Sequence, residues 1–272
     1  MMSTIQPQSS LPRSRTRHGA AYVERGEGAP LVLVHGVGMR LEAWAPQIAA
    51  LASGHRVIAV DMPGHGASEQ LAAAARLPDF VAWLGRFLDD LLLDAISIAG
   101  HSMGALIAGG AAASFGARIR RVALLNGVYR RGPAARAAVL ERAKAIRLGH
   151  IDVEGPLKRW FGDRERGTEA CRLTREWLSG VDRQGYATAY AAFAEGDATY
   201  ADAWPRITCP ALFLTGEDDP NSTPAMAEAM AASTPCGVAR IIAGHRHMVN
   251  LTAPEIVNGM LEEWLAREEV TA

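Results

Sequence analysis

The chain has no long apolar run. None of its hydrophobic stretches approaches the roughly 18 residues that a membrane-crossing helix needs, so no membrane partner is expected. It has no surplus of charge either. With 28 Lys and Arg against 29 Asp and Glu the net charge is -1, which argues against nucleic acid as a partner. Cysteine is scarce: Cys171, Cys209 and Cys236 are odd in number, far apart, and form no C-x-x-C pair. That excludes a disulfide framework and a cysteine zinc site, and a reducing, cytoplasmic compartment is the simplest reading. There is no internal repeat and no low-complexity linker. Residues 1–11 are polar and lack the apolar centre of a secretion signal. Residues 1–17, which include Arg13, Arg15 and Arg17, are expected to form a disordered leader.

What is present is a hydrophobic content of 49% with 21% charge, enough to bury a substantial core in a chain of 272 residues. Short, nearly continuous apolar runs occur at 31–34, 57–60, 96–99, 121–125, 211–214 and 238–242. Runs of this kind suit strands whose two faces are both covered by helices. Helical patterns fall between them, at 41–51, 79–92, 103–114, 224–232 and 254–268. Pro224 and Pro254 stand at first-turn positions, where a missing N–H costs nothing. The alternation predicts an α/β fold with a mainly parallel twisted sheet and helices on both faces. Tyr22 and Val23 suggest an added antiparallel edge strand. The alternation breaks at 127–204, a long, arginine-rich, helical stretch. It predicts a helical cap inserted between two core segments, 18–126 and 205–272. Within it, Val139, Leu140, Ala143 and Ile146 are expected to share one helical face.

The densest chemical signal is Gly100-His101-Ser102-Met103-Gly104. An apolar strand runs into it and a small-residue helix runs out of it. That context marks a nucleophile elbow, a tight turn that lifts a serine hydroxyl clear of the sheet. Crowding at such a turn admits only small residues two positions either side of the serine. The helix that starts beside Ser102 would point its N–H groups at an anion formed there.

A serine hydroxyl needs a base, and the base needs an orienting partner. After the run 211–214 comes Thr215-Gly216-Glu217-Asp218-Asp219-Pro220, and after 238–242 comes Gly244-His245-Arg246-His247. Loops beyond the C-terminal ends of parallel strands share one rim of the sheet, the rim that carries the elbow. Asp218 and Asp219 compete for the acid position, and His245 and His247 for the base.

These motifs resemble the α/β-hydrolase fold over nearly the whole chain, from about residue 18 to 265. Val34-His35-Gly36-Val37-Gly38 with Trp44 is similar to that family's His-Gly oxyanion loop. The stretch Asp61-Met62-Pro63-Gly64-His65-Gly66-Ala67-Ser68 is similar to its D-x-P-G-x-G-x-S segment. In the family the acid stands three residues after the strand-ending glycine, which implies Asp219. A histidine seven residues before the helix-opening proline implies His247, whereas the usual Gly-His dipeptide implies His245; the longer register favours His247. Thr252 departs from the pattern, since many relatives are acidic there.

The resemblance implies a serine hydrolase with Ser102, His247 and Asp219 as nucleophile, base and orienting acid. The backbone N–H groups of Val37 and Met103 would hold the oxyanion. His35, Gly36, Trp160 and Arg130 are the expected substrate-binding residues, Arg130 and its neighbour Arg131 being placed after the sixth strand where they could hold a substrate carboxylate, while the rings of His35, His101 and His65 are expected to serve as structural hydrogen-bond groups. No metal and no organic cofactor is expected. Arg159-Trp160-Phe161, then Asp182 with Gly185-Tyr186, resembles the cap of 3-oxoadipate enol-lactonases. This implies a small carboxylated ester or lactone as substrate. The same three groups could instead cleave a carbon–carbon bond in a ring-cleavage diketone or run perhydrolase or haloperoxidase chemistry. A ligand receptor on this scaffold is the non-enzymatic alternative.

Overall fold

The computed structural model describes residues 11–267. Its eight strands are β1 (Ser14–Arg15), β2 (Ala21–Arg25), β3 (Pro30–Val34), β4 (Arg56–Val60), β5 (Ile96–His101), β6 (Ile119–Leu125), β7 (Ala211–Gly216) and β8 (Gly237–Ile242). They form one sheet in the order β1-β2-β4-β3-β5-β6-β7-β8. β1 and β2 pair antiparallel at one edge, and every pair from β4 to β8 is parallel. This is the expected α/β architecture; the antiparallel strand expected at Tyr22 and Val23 is β2, but it lies one place in from the edge, which is formed by β1.

Strand residues alternate between two cores, as a period of two requires. Val32, Val34, Ile58, Val60, Ile98 and Val122 point to one face. They meet α2 (Leu77–Asp90), α3 (Met103–Phe115) and α8 (Pro224–Ala232) there. Leu31, Leu33, Val57, Ala59, Ala99 and Leu125 point to the other, against α1 (Ala45–Leu51) and α10 (Pro254–Leu265). A short helix, α9 (Val249–Thr252), leads into α10. Between β6 and β7 lie four helices, α4 (Pro133–Arg147), α5 (Glu154–Trp160), α6 (Glu169–Ser179) and α7 (Arg183–Gly196).

Several details differ from the sequence reading. The helix expected over 41–51 is split: Leu41–Trp44 is a 3-10 turn, and α1 starts at Ala45 with Pro46 in its first turn. The helix expected from 79 begins at Leu77, because Asp79 serves as its N-terminal box. The Asp79 carboxylate accepts the Arg76 N–H at 2.7 Å. Leu140 lies off the buried face of α4 and is 36% exposed, while Val139, Ala143 and Ile146 are buried.

The disordered leader gives way over 11–17; residues 1–10 of that expectation lie outside the described residues. Ser14 and Arg15 pair with Tyr22 and Ala21. Arg13 is inserted between two buried carboxylates, with Nη2 2.7 Å from Glu42 Oε2 and Nε 2.7 Å from Asp61 Oδ2. Arg17 and His18 both meet Asp90. Burial alone would raise the Glu42 carboxyl. Hydrogen bonds from Arg40 and Arg13 outweigh it and hold the group at about 2, below its ordinary 4.5. A carboxyl depressed on folding adds stability above its unfolded value, and that stability is lost as pH falls toward the folded one. Arg13→Ala is therefore expected to cost about 2 kcal/mol at neutral pH. The gap from wild type should narrow as pH falls from 4.5 toward 2. Urea denaturation at pH 7 and pH 3 checks this, and a gap that does not change with pH contradicts it.

Candidate active site

β5 runs straight into the turn at Ser102, whose backbone is forced to φ +54°. That is a costly conformation for a residue with a side chain, and it has to be held by its surroundings. The flanking glycines make it possible. A Cβ on Gly100 would run into the Gly104 carbonyl, and one on Gly104 would run into the Val34 carbonyl. The Ser102 N–H is tied to the Leu125 carbonyl of the adjacent strand at 2.9 Å. The hydroxyl emerges beside the first turn of α3.

β7 and β8 end on the same rim. The Ser102 Oγ stands 3.0 Å from His247 Nε2, and His247 Nδ1 stands 2.7 Å from Asp219 Oδ2. All three residues are at least 96% buried. Burial works against the Asp219 charge, but the imidazole of His247, the Asn221 N–H and the Asn126 amide outweigh it, so the carboxyl lies below its ordinary range. An ionised Asp219 accepts, which puts the His247 proton on Nδ1 and leaves Nε2 free to accept from the Ser102 hydroxyl.

The two ambiguities of the sequence thus have different geometric outcomes. Asp218 is exposed, while Asp219 faces the histidine. His245 points elsewhere: its Nδ1 lies 2.9 Å from Thr252 Oγ1 and 3.0 Å from Glu165 Oε1.

The loop after β3 approaches the serine closely. A Cβ on Gly36 would come within 3.1 Å of the Ser102 Cβ. Two buried imidazoles fix this loop. His35 accepts the Met62 N–H at 2.9 Å on Nε2 and donates through Nδ1 to the Gly36 carbonyl at 2.8 Å. His65 accepts the Gly38 N–H at 2.9 Å and donates to the Pro63 carbonyl at 3.1 Å. Burial pushes His65 down to about 4, so it is neutral and keeps its acceptor nitrogen. His101 donates to the His247 carbonyl at 2.8 Å and is likewise held neutral by burial, at about 3. The rings of His35, His65 and His101 are thus committed to backbone partners, and His35 does not line the cavity. Val37 does, and its N–H has no acceptor among the described residues. Met103 opens α3, where an N–H has no partner within the helix.

A cavity of about 220 Å³ opens at Ser102 and His247. Its far wall comes from the helical insert. α4 contributes Ala135, Ala138, Val139 and Arg142, a single face at helical spacing. α5 contributes Pro156, Arg159 and Trp160, and the Trp160 ring stacks on His247 with centroids 5.6 Å apart. Phe161, Trp177 and Tyr186 are buried in the hydrophobic core instead, while Tyr190 reaches the cavity.

Three guanidinium groups line this otherwise largely apolar space, and Arg130 is not among them. Its side chain is half-exposed and pairs with Asp202. It turns away because its backbone is left-handed, φ +43°, with the N–H bonded to the Asp197 carbonyl. Its neighbour Arg131 lines the cavity and is neutralised by Asp197 at 3.3 Å. Arg142 and Arg159 carry no ion pair among the described residues. Arg142 Nε donates to the Tyr190 hydroxyl at 3.1 Å, and Arg159 Nε is buried with no partner. Burial first, and then the charge of Arg142, push the Arg159 guanidinium down. Two facing cations in an enclosed space form a site that favours anions.

Two contributions escaped the sequence reading. Asn126, at φ +50°, donates through Nδ2 to Asp219 Oδ2 at 2.9 Å and so holds the acid in register. Arg142 could have been found as a charged residue on the apolar face of α4. Among the described residues, no group of three or more His, Cys, Asp or Glu side chains is placed to hold a metal ion. No helix among them is long and apolar enough to cross a membrane.

The chain is similar to known hydrolases over most of its length. Residues 31–259 match the Alpha/beta hydrolase family. An (E)-2-((N-methylformamido)methylene)succinate hydrolase from Acinetobacter baylyi is 52% identical over 261 residues, spanning 96% of this chain and 98% of that protein. The 3-oxoadipate enol-lactonase 1 of the same organism is 29% identical over 236 residues, 84% of this chain and 86% of that one. Among solved structures, the enol-lactonase from Burkholderia xenovorans LB400 superposes with a TM-score of 0.84 at 28% identity, covering 94% of this chain and all of that one.

Proposed function

This chain belongs to the alpha/beta hydrolase family, and from that premise we propose that it transfers an acyl group to water from a small substrate bearing carboxylates. The observation that carries the reading is the pair Arg142 and Arg159 on the wall of the cavity that holds Ser102: among the described residues neither forms an ion pair with a carboxylate, and Asp152 acts on Arg159 only from beyond ion-pair distance. The insert acts as the cap of the site.

Ser102 attacks the acyl carbon while His247 Nε2 takes its proton, and Asp219 stabilises the imidazolium that results. The N–H groups of Val37 and Met103 hold the oxyanion; one such donor is typically worth about 2.7–4 kcal/mol. His247 then hands the proton to the leaving atom as its bond to carbon breaks. Water repeats the path in reverse and frees the acid from Ser102.

A substituted succinate with an N-formyl group, as in the name of the Acinetobacter relative, suits this site. Its two carboxylates match the two cations. Its amide nitrogen is conjugated through the methylene double bond to a carboxylate, which draws the lone pair away from the formyl group. The formyl carbon becomes a better electrophile and the nitrogen a better leaving group. Attack by Ser102 would give a formyl-enzyme, and water would release formate. A carboxylated ester or enol-lactone is the second reading, supported by the enol-lactonase likeness.

Arg142→Gln and Arg159→Gln test the anion reading. Each should raise KM for a dianionic substrate about 10–100-fold, as expected for losing one charged hydrogen-bond partner. The loss with p-nitrophenyl acetate should be at least about tenfold smaller. Equal losses on the charged and neutral substrates would refute it.

A further inference from the structure

The loop that carries His247 is fastened to the insert at three consecutive residues. The His247 N–H donates to the Trp160 carbonyl at 3.2 Å. Arg246 Nη1 donates to the Lys158 carbonyl at 3.2 Å. His245 Nδ1 lies 3.0 Å from Glu165 Oε1. The receiving segment, 158–165, is itself a closed unit. Its turn is made by the Glu165 N–H on the Gly162 carbonyl, 2.9 Å, and by the Gly162 N–H on Glu165 Oε2, 2.9 Å. Glu165 therefore uses one carboxylate oxygen to shape the turn, while the other faces the His245 ring at ion-pair distance. The same segment carries Arg159 and places the Trp160 ring on the His247 ring.

Of these three attachments, the first two use backbone carbonyls that any residue supplies. Apart from the Trp160–His247 ring stack, only the Glu165–His245 contact is made by two side chains, and both are largely shielded, at 15% and 23% exposure. Thr252 steadies the His245 ring from α9, with Oγ1 2.9 Å from Nδ1. His245 lies outside the cavity and does not touch Ser102.

We infer that Glu165 and His245 form a clasp that positions His247 against Ser102 by joining its loop to the 158–165 segment. This rests on the reading that His247 activates Ser102. Both are positioning residues: neither touches the reacting atoms. The clasp also makes the anion wall and the base one mechanical unit, because Arg159 and the contacts to His245, Arg246 and His247 lie within eight residues of the insert, 158–165. A displacement of about 1 Å between base and nucleophile can cost as much as 100-fold in rate, so loosening one of three attachments is expected to cost about tenfold.

The test is the second-order rate constant for labelling of Ser102 by a neutral fluorophosphonate, measured on the full chain. Glu165→Ala and His245→Ala should each lower it about tenfold. The double variant should be no slower than either single one, because the two residues act through one contact. Glu165→Gln keeps one acceptor oxygen, enough for the Gly162 N–H that shapes the turn, but presents an NH2 where the second oxygen faced His245, so it should be slowed about as much as Glu165→Ala. Single variants within twofold of wild type, multiplying effects in the double variant, or a Glu165→Gln variant as fast as wild type would each overturn the clasp. The probe carries no carboxylate, so this result is independent of the anion reading, which fails on the arginine variants instead. If Ser102 of the wild type does not label at all, the underlying reading fails rather than the clasp alone.

Discussion

Ser102→Ala is expected to lower kcat by about 10⁵-fold or more on every substrate the protein turns over, with the fold intact. The magnitude follows from removing the only atom that can form the acyl-enzyme; what remains is binding and the oxyanion donors. The fold should survive because the hydroxyl makes one hydrogen bond, to His247 Nε2. Alanine keeps the Cβ, so the backbone at φ +54° is no more strained than before. The Gly100 and Gly104 contacts that hold the turn are untouched. Steady-state kinetics with a thermal melt measure both halves. Activity within tenfold of wild type in a folded Ser102→Ala variant would remove the nucleophile from the account.

The two histidines should separate by several orders of magnitude. His247→Ala is expected to cost about 10⁵-fold in kcat, since base and nucleophile act as a unit and losing either is about as costly as losing both. Its ring is the one between Ser102 Oγ and Asp219 Oδ2. His245→Ala should cost only about tenfold, through the loop it fastens. The acid side supports this ranking. Asp219 accepts hydrogen bonds from His247 Nδ1, the Asn126 amide and the Asn221 N–H, and His247 is the only imidazole that faces it among the described residues. A larger kcat loss for His245→Ala than for His247→Ala would invert the assignment.

The parts of this site that sequence alone reveals are those made by local rules. The elbow is readable because its sterics demand glycine at 100 and 104, and both demands are met within five residues. The rim is readable because parallel strands deliver their following loops to one side. The competition between His245 and His247 yields only to the register with Pro254, because both occupy one loop and composition does not distinguish them. Other features depend on contacts between distant segments. Arg13 finds Glu42 and Asp61 across separations of 29 and 48 residues, so a stretch that reads locally as a basic leader is pinned down over 11–17. Arg130 and Arg131 are adjacent and chemically identical. Only the left-handed backbone at Arg130 decides that one faces Asp202 and the other the cavity. The anion wall is equally non-local, since it depends on how α4 and α5 fold over the rim.

The central claim is that the Ser102 hydroxyl is activated by His247. The most direct measurement is mass spectrometry of the intact, active protein after reaction with a fluorophosphonate, followed by peptide mapping. The account predicts one adduct per chain, on the peptide that carries Ser102, and almost none in His247→Ala over the same time. An adduct on another residue, or an active protein that takes no label, would contradict it.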